Sequence, residues 1–129
     1  MKRLIYLSLC VLMLQVVFVS CNRRDASASK AAERYYGYLA KGDVDAYMRG
    51  MADYDRIPEG YREQLRKLFH QFVDYDIETR KGILSVQALR DTMISDEQTH
   101  VFLLITYGDS TQEQVSMPLV LTDKGWRMK

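Results

Sequence analysis

Only a few residues in this chain have both the type and the spacing that chemistry requires. His70 and Asp74 stand four apart, so a helix would place them on one face, as a general base and its orienting carboxylate. The same spacing describes an ordinary pair on a wet helix face, and such a pair is what is expected. His100 opens a β-prone run beside Thr99 and reads as a strand-end residue. The two histidines, with no Cys near either, give no zinc-ligand spacing, so no metal site and no cofactor are expected. No Gly-rich phosphate loop, serine-nucleophile motif or Walker pattern is present. The nine tyrosines are the remaining resource. Tyr joins a large apolar body to a polar tip, and Tyr38, Tyr47, Phe69, Phe72 and Trp126 are candidates to line an apolar pocket. The plainer alternative is that they close a small core at its wet edge. Tyr35, Tyr38, Tyr47 and Tyr61 could act as acidic donors, but no Asp or Glu is expected to point inward along residues 101–121. Asp91, Asp96 and Asp109 fall at breaks or turns. No catalytic residue is therefore assigned.

One cysteine carries a different kind of chemistry. Lys2 and Arg3 precede an apolar run over residues 4–19 that is broken only by Ser8 and Gln15. A charged start followed by an apolar stretch is the pattern of a secretory signal peptide. As a helix the run would span about 24 Å, short of the ~30 Å of a bilayer core. It ends in Phe18-Val19-Ser20-Cys21, which resembles a bacterial lipobox, with Phe18 where such boxes usually carry Leu. The resemblance implies that residues 1–20 are removed and that Cys21 is acylated, which would hold the chain stably on a membrane. Cys10 would leave with the leader, so the remainder has no thiol for a disulfide or for catalysis. Arg23 and Arg24 follow the anchor, unlike the acidic stretches that send some lipoproteins to the cell surface.

The elements that must position these residues form one domain. The chain has 129 residues, with 18 Lys and Arg against 17 Asp and Glu; a net charge of +1 excludes the basic excess of a nucleic-acid binder. Residues 21–29 read as the lipidated Cys and a short tether, and residues 30–129 as the domain. Ala28, Ala32, Tyr35, Tyr36 and Leu39 recur at helical spacing, Gly42 can close that helix, and Asp43 can cap a short second one. Tyr61, Leu65, Leu68, Phe69, Phe72 and Val73 predict a third helix with one face buried. From Ile83 the period changes. Residues 83–94 predict one bulged strand or two short ones, residues 101–107 a central strand, and Val115, Met117, Leu119 and Leu121 an alternating strand. Pro118 asks for an edge, a bulge or an unpaired site, and Trp126 and Met128 share one face of a last short strand. The order is α+β: three N-terminal helices on a curved antiparallel sheet of about four strands.

The segments 82–86, 88–95, 100–108 and 115–121, with Asp123-Lys124-Gly125-Trp126, resemble small bacterial lipoproteins of the nuclear-transport-factor-2-like superfamily, also called cystatin-like or ketosteroid-isomerase-like. Residues 36–47, with Lys41-Gly42-Asp43 between two helices, are similar to the start of that fold, and the permissive lipobox is similar to those of gut and oral Bacteroidetes. The resemblance implies a cone-shaped domain with an apolar pocket and, in many members, a homodimer formed through the sheet. It does not choose among isomerases, dehydratases, binding proteins and adaptors. The isomerase's catalytic residues find no one-by-one match in this chain. The expectation is a non-catalytic lipoprotein domain, anchored through Cys21 on the periplasmic face of the outer membrane, that binds a small apolar ligand, a peptide or a partner protein. The alternatives are an isomerase- or dehydratase-type enzyme with a non-standard acid–base set, and a structural or assembly role through the sheet face.

Overall fold

The computed structural model describes residues 23–129; the leader and Cys21 lie outside the described residues. Helix α1, Arg23–Ala40, takes in part of the stretch read as a tether, and Ala28 is already fully buried. Ala28, Ala32, Tyr35, Tyr36 and Leu39 all enter the core, as their spacing requires. Gly42 closes the helix at φ 77°, its N–H donating to Leu39 O at 3.0 Å. Asp43 then caps α2, Val44–Arg49, accepting from Ala46 N at 3.2 Å. A single 3₁₀ turn, Tyr54–Arg56, leads to α3, Glu59–Arg80. No helix among the described residues is long and apolar enough to cross a membrane.

The sheet is an antiparallel meander in the order β1 (Ile83–Ser95), β2 (Gln98–Tyr107), β3 (Gln112–Thr122), β4 (Gly125–Met128). The first strand is one long element with three register shifts, which bend it. At the middle shift the Ala88 N–H leaves the ladder and donates to Glu33 Oε1 of α1 at 2.8 Å, so a helix side chain satisfies the bulge. Along β2, Thr99, Val101, Leu103, Ile105 and Tyr107 are buried under the helices, while the alternate residues are half-buried. Pro118 sits where β4 runs out: its carbonyl accepts the last bond, from Lys129 N at 3.1 Å, and no N–H is needed beyond it. The free side of β4 is covered by the chain after α2, since Met128 N donates to Gly50 O and Ala52 N to Met128 O, at 2.9 and 2.8 Å.

Helix α3 departs from its expected burial. Leu65, Phe69 and Val73 pack against the core, but Tyr61, Leu68 and Phe72 are exposed, and the only buried residue of α3 is Asp76. The apolar face of this helix is wider than the domain beneath it. Its C-terminal end is held firmly: Asp109 N donates to Arg80 O at 3.0 Å and Gly108 N to Gly82 O at 2.8 Å, joining the helix end to the β2–β3 turn. Only Gly fits at 108, because a Cβ there would meet the Lys81 backbone.

Candidate functional site

The docking of α3 onto the β2–β3 turn assembles a group of polar side chains that no short sequence motif contains. Asp76 and Arg80 come from successive turns of α3, Tyr107 from the end of β2, Glu113 from the start of β3 and Tyr36 from α1. The Tyr107 hydroxyl donates to Glu113 Oε2 at 2.6 Å, and Arg80 Nη1 donates to the same oxygen at 2.9 Å. The Arg80 guanidinium also lies 4.5 Å from the centre of the Tyr107 ring. These charge-assisted donors hold the Glu113 carboxyl below its ordinary range, Tyr107 contributing most and Arg80 next.

Asp76 is in the opposite condition. It is 4% exposed, and its Oδ2 has no hydrogen-bond partner. Burial drives its carboxyl above the usual range, and the nearby Glu113 charge adds to this while Arg80 opposes it. Burial likewise raises both neighbouring phenols. Tyr107 is pushed up to about 12, with its bond to Glu113 as the second cause, and Tyr36 is raised further, by burial and then by Tyr107 and Asp76. Two carboxyls from adjacent elements are thus pushed in opposite directions, the arrangement that separates a proton-holding group from an ionised one.

Tyr36 connects this cluster to an apolar cleft of about 420 Å³, lined by Tyr36, Tyr47, Met51, Ile57, Val115, Met117 and Met128, with Asp53, Ser116, Pro118 and Lys129 also lining it. Of the five residues expected to line a pocket, Tyr47 does line this cleft. Phe69 packs edge-on against Tyr47, ring centres 5.1 Å apart, and supports it from behind. Trp126 is buried in the core, where its carbonyl accepts from the Tyr35 hydroxyl at 2.6 Å. Tyr38 is half-buried against the core, and Phe72 faces solvent. His70 and Asp74 are both exposed on α3 and away from the cleft, and His100 is half-buried on β2. Asp96 and Asp109 are exposed in turns, as expected, whereas Asp91 is half-buried, with an Oδ2 that has no partner among the described residues.

The sequence reading missed Asp76 and Glu113, although each carries a signal. Asp76 lies three and seven residues after Val73 and Phe69, one more step along the apolar stripe. Glu113 shares the parity of Val115 and Met117, so it stands on the inward face at its rim, not outside it.

No family model matches the sequence, and no curated protein does either. Solved structures do match. A Campylobacter jejuni protein described as a candidate NTF2-like transpeptidase superposes with a TM-score of 0.62 at 12% identity, over 75% of this chain and 92% of that one. At that identity the likeness concerns the fold. Three helices packed on an open four-stranded antiparallel sheet, superposing on that protein over most of both chains, make this an α+β domain of the NTF2-like fold.

Proposed function

We propose that this chain is a membrane-tethered binding domain whose cleft takes a small ligand with an apolar body and one polar group. The observation that carries the reading is the cleft itself. Its volume of about 420 Å³ falls within the ~300–1,000 Å³ of small-molecule sites, and its wall is mostly Met, Val, Ile and Tyr with polar groups at the margin. The tether is supported by the lipobox-like Phe18-Val19-Ser20-Cys21 behind an apolar leader, and the basic Arg23 and Arg24 after it differ from the acidic stretches that send some lipoproteins to the cell surface, in keeping with an anchor on the periplasmic face of the outer membrane. A peptide or protein segment could present the same apolar group to the cleft.

Asp76 favours a second reading, an isomerase- or dehydratase-type enzyme, because a carboxyl raised by burial is what a general acid or base requires. Binding leads because Asp76, His70 and His100 are not among the residues lining the cleft. Transpeptidation is not carried over from the Campylobacter protein. The described residues include no Cys, and Ser116, which does line the cleft, has neither histidine there to activate it.

Native mass spectrometry of the full-length chain, released from detergent micelles, tests the reading. The expected result is a reproducible mass excess beyond the acyl groups that is lost on denaturation. It should also shrink in Ile57→Trp, which fills the cleft. A clean mass in the wild-type chain, or an excess untouched by that substitution, overturns it.

A further inference from the structure

The uncovered half of α3 carries a surface that fits a copy of itself. Tyr61, Leu68, Phe72 and Tyr75 recur at spacings of seven, four and three, which puts them in one row along the helix. They are 54%, 57%, 39% and 61% exposed. At roughly 150–250 Å² per large side chain, about half of it uncovered, the row presents on the order of 400 Å² of apolar surface. Single exposed apolar residues need no explanation, but a continuous row along a 22-residue helix does.

We infer that this row is an isologous interface in which α3 of one copy lies antiparallel on α3 of a second. The reason for choosing a second copy is the symmetry of the row and of the charges beside it. With Phe72 on the two-fold axis, Leu68 four residues before it meets Tyr75 three residues after it on the other chain. Lys67 and Glu78 lie eleven residues apart, three helical turns, on the one flank of the row that faces away from the domain. A two-fold axis perpendicular to the helices brings that flank against itself. Lys67, five residues before Phe72, then faces Glu78 of the second copy, six residues after it, and the pair occurs twice. Both side chains are exposed, and neither makes an ion pair within the described residues. Gln64, Gln71 and Thr79 border the row with neutral polar groups that would not oppose the approach. The contact is distinct from the sheet-face dimer expected from resemblance. Tyr61, eleven residues before the axis, would face a position past the end of the second α3 at Arg80 and adds little. Leu68, Phe72 and Tyr75 bury on the order of 600 Å² in a pair before the flanks are counted, which fits a weak, reversible dimer rather than an obligate one.

Cysteine cross-linking of the full-length chain in membranes of expressing cells tests the interface. Phe72→Cys, on the axis, should form a disulfide-linked dimer under mild oxidation, well above wild type and above Glu63→Cys on the exposed opposite side of α3. Because Phe72→Cys alters packing, a second measurement uses exposed charges only, with the dimer fraction read by native mass spectrometry from micelles. Lys67→Glu should lower that fraction several-fold, and adding Glu78→Lys should restore it. The inference is overturned if Phe72→Cys cross-links no more than Glu63→Cys. It is equally overturned if the charge reversal has no effect, or if the double reversal fails to rescue it.

Discussion

A buried carboxyl without a partner and a half-exposed one with two donors respond to pH with opposite signs, and the polar cluster contains both. Asp76 holds its proton more tightly in the folded chain than in the unfolded one. Stability therefore increases as pH falls through the interval between its raised value and its ordinary 3.8, and the burial penalty is complete above that interval. Glu113 is held below its ordinary 4.5; its contribution is complete above 4.5 and is lost as pH falls through the lowered value. Replacing Asp76 by Asn removes the charge and keeps the shape. An uncompensated buried charge costs more than a buried neutral amide, so Asp76→Asn should melt above wild type, by about 4–8 °C for each ~1 kcal/mol of that difference, at pH values beyond the Asp76 interval. The two melting curves should converge as pH falls toward 3.8. Parallel curves from pH 7 to 4 would show that the Asp76 charge is compensated in the folded chain. The Asp76 signal was present in the sequence, yet an acid in an apolar stripe ordinarily marks the end of the stripe. The groups gathered around it, Tyr36, Tyr107 and Glu113, come from elements far away in the chain.

At the scale of elements, local chemistry predicted what local chemistry controls. The Asp43 cap, the Gly42 closure, the alternation of Val115 to Leu121 and the pairing of Trp126 with Met128 on one face all appear as spacing and residue type require. Two features were beyond reach for a common reason. Whether residues 83–94 form one strand or two depends on Glu33, 55 positions away from Ala88, accepting the amide that the bulge frees. How much of the α3 stripe is covered depends on the width of the surface beneath it, which periodicity does not contain. The first point predicts a measurable asymmetry between two substitutions. Glu33→Ala leaves the Ala88 amide unpaired at a half-buried site and should cost about 1–2 kcal/mol, with faster exchange of the Ala88 amide proton. Glu33→Gln retains an acceptor oxygen and should cost less than half as much. Equal losses for the two variants would mean that Glu33 contributes through its negative charge rather than by offering the bulge an acceptor oxygen, and an unchanged Ala88 exchange rate in Glu33→Ala would mean that it contributes through packing of its stem.

For the whole molecule, the α+β order and the NTF2-like fold were legible because element order and core pattern are written along the chain, while the clefts belong to no single segment. The relation of domain to membrane is the one property that a single residue would control. Helix α1 is described from Arg23, two residues after Cys21, and Ala28 within it is fully buried. Such a short connection would keep an anchored domain close to the bilayer, within reach of ligands that partition into it. Cys21→Ala should abolish incorporation of radiolabelled fatty acid, because the thiol that would accept the lipid is gone. It should also leave the melting temperature unchanged if the domain is held by the described core, whose buried residue nearest to Cys21 is Ala28, seven positions on. Retention of label by Cys21→Ala would remove the anchoring proposal. Loss of label accompanied by a lower melting temperature would mean instead that the anchor region packs on the domain, and that the tether and the cleft act as one unit.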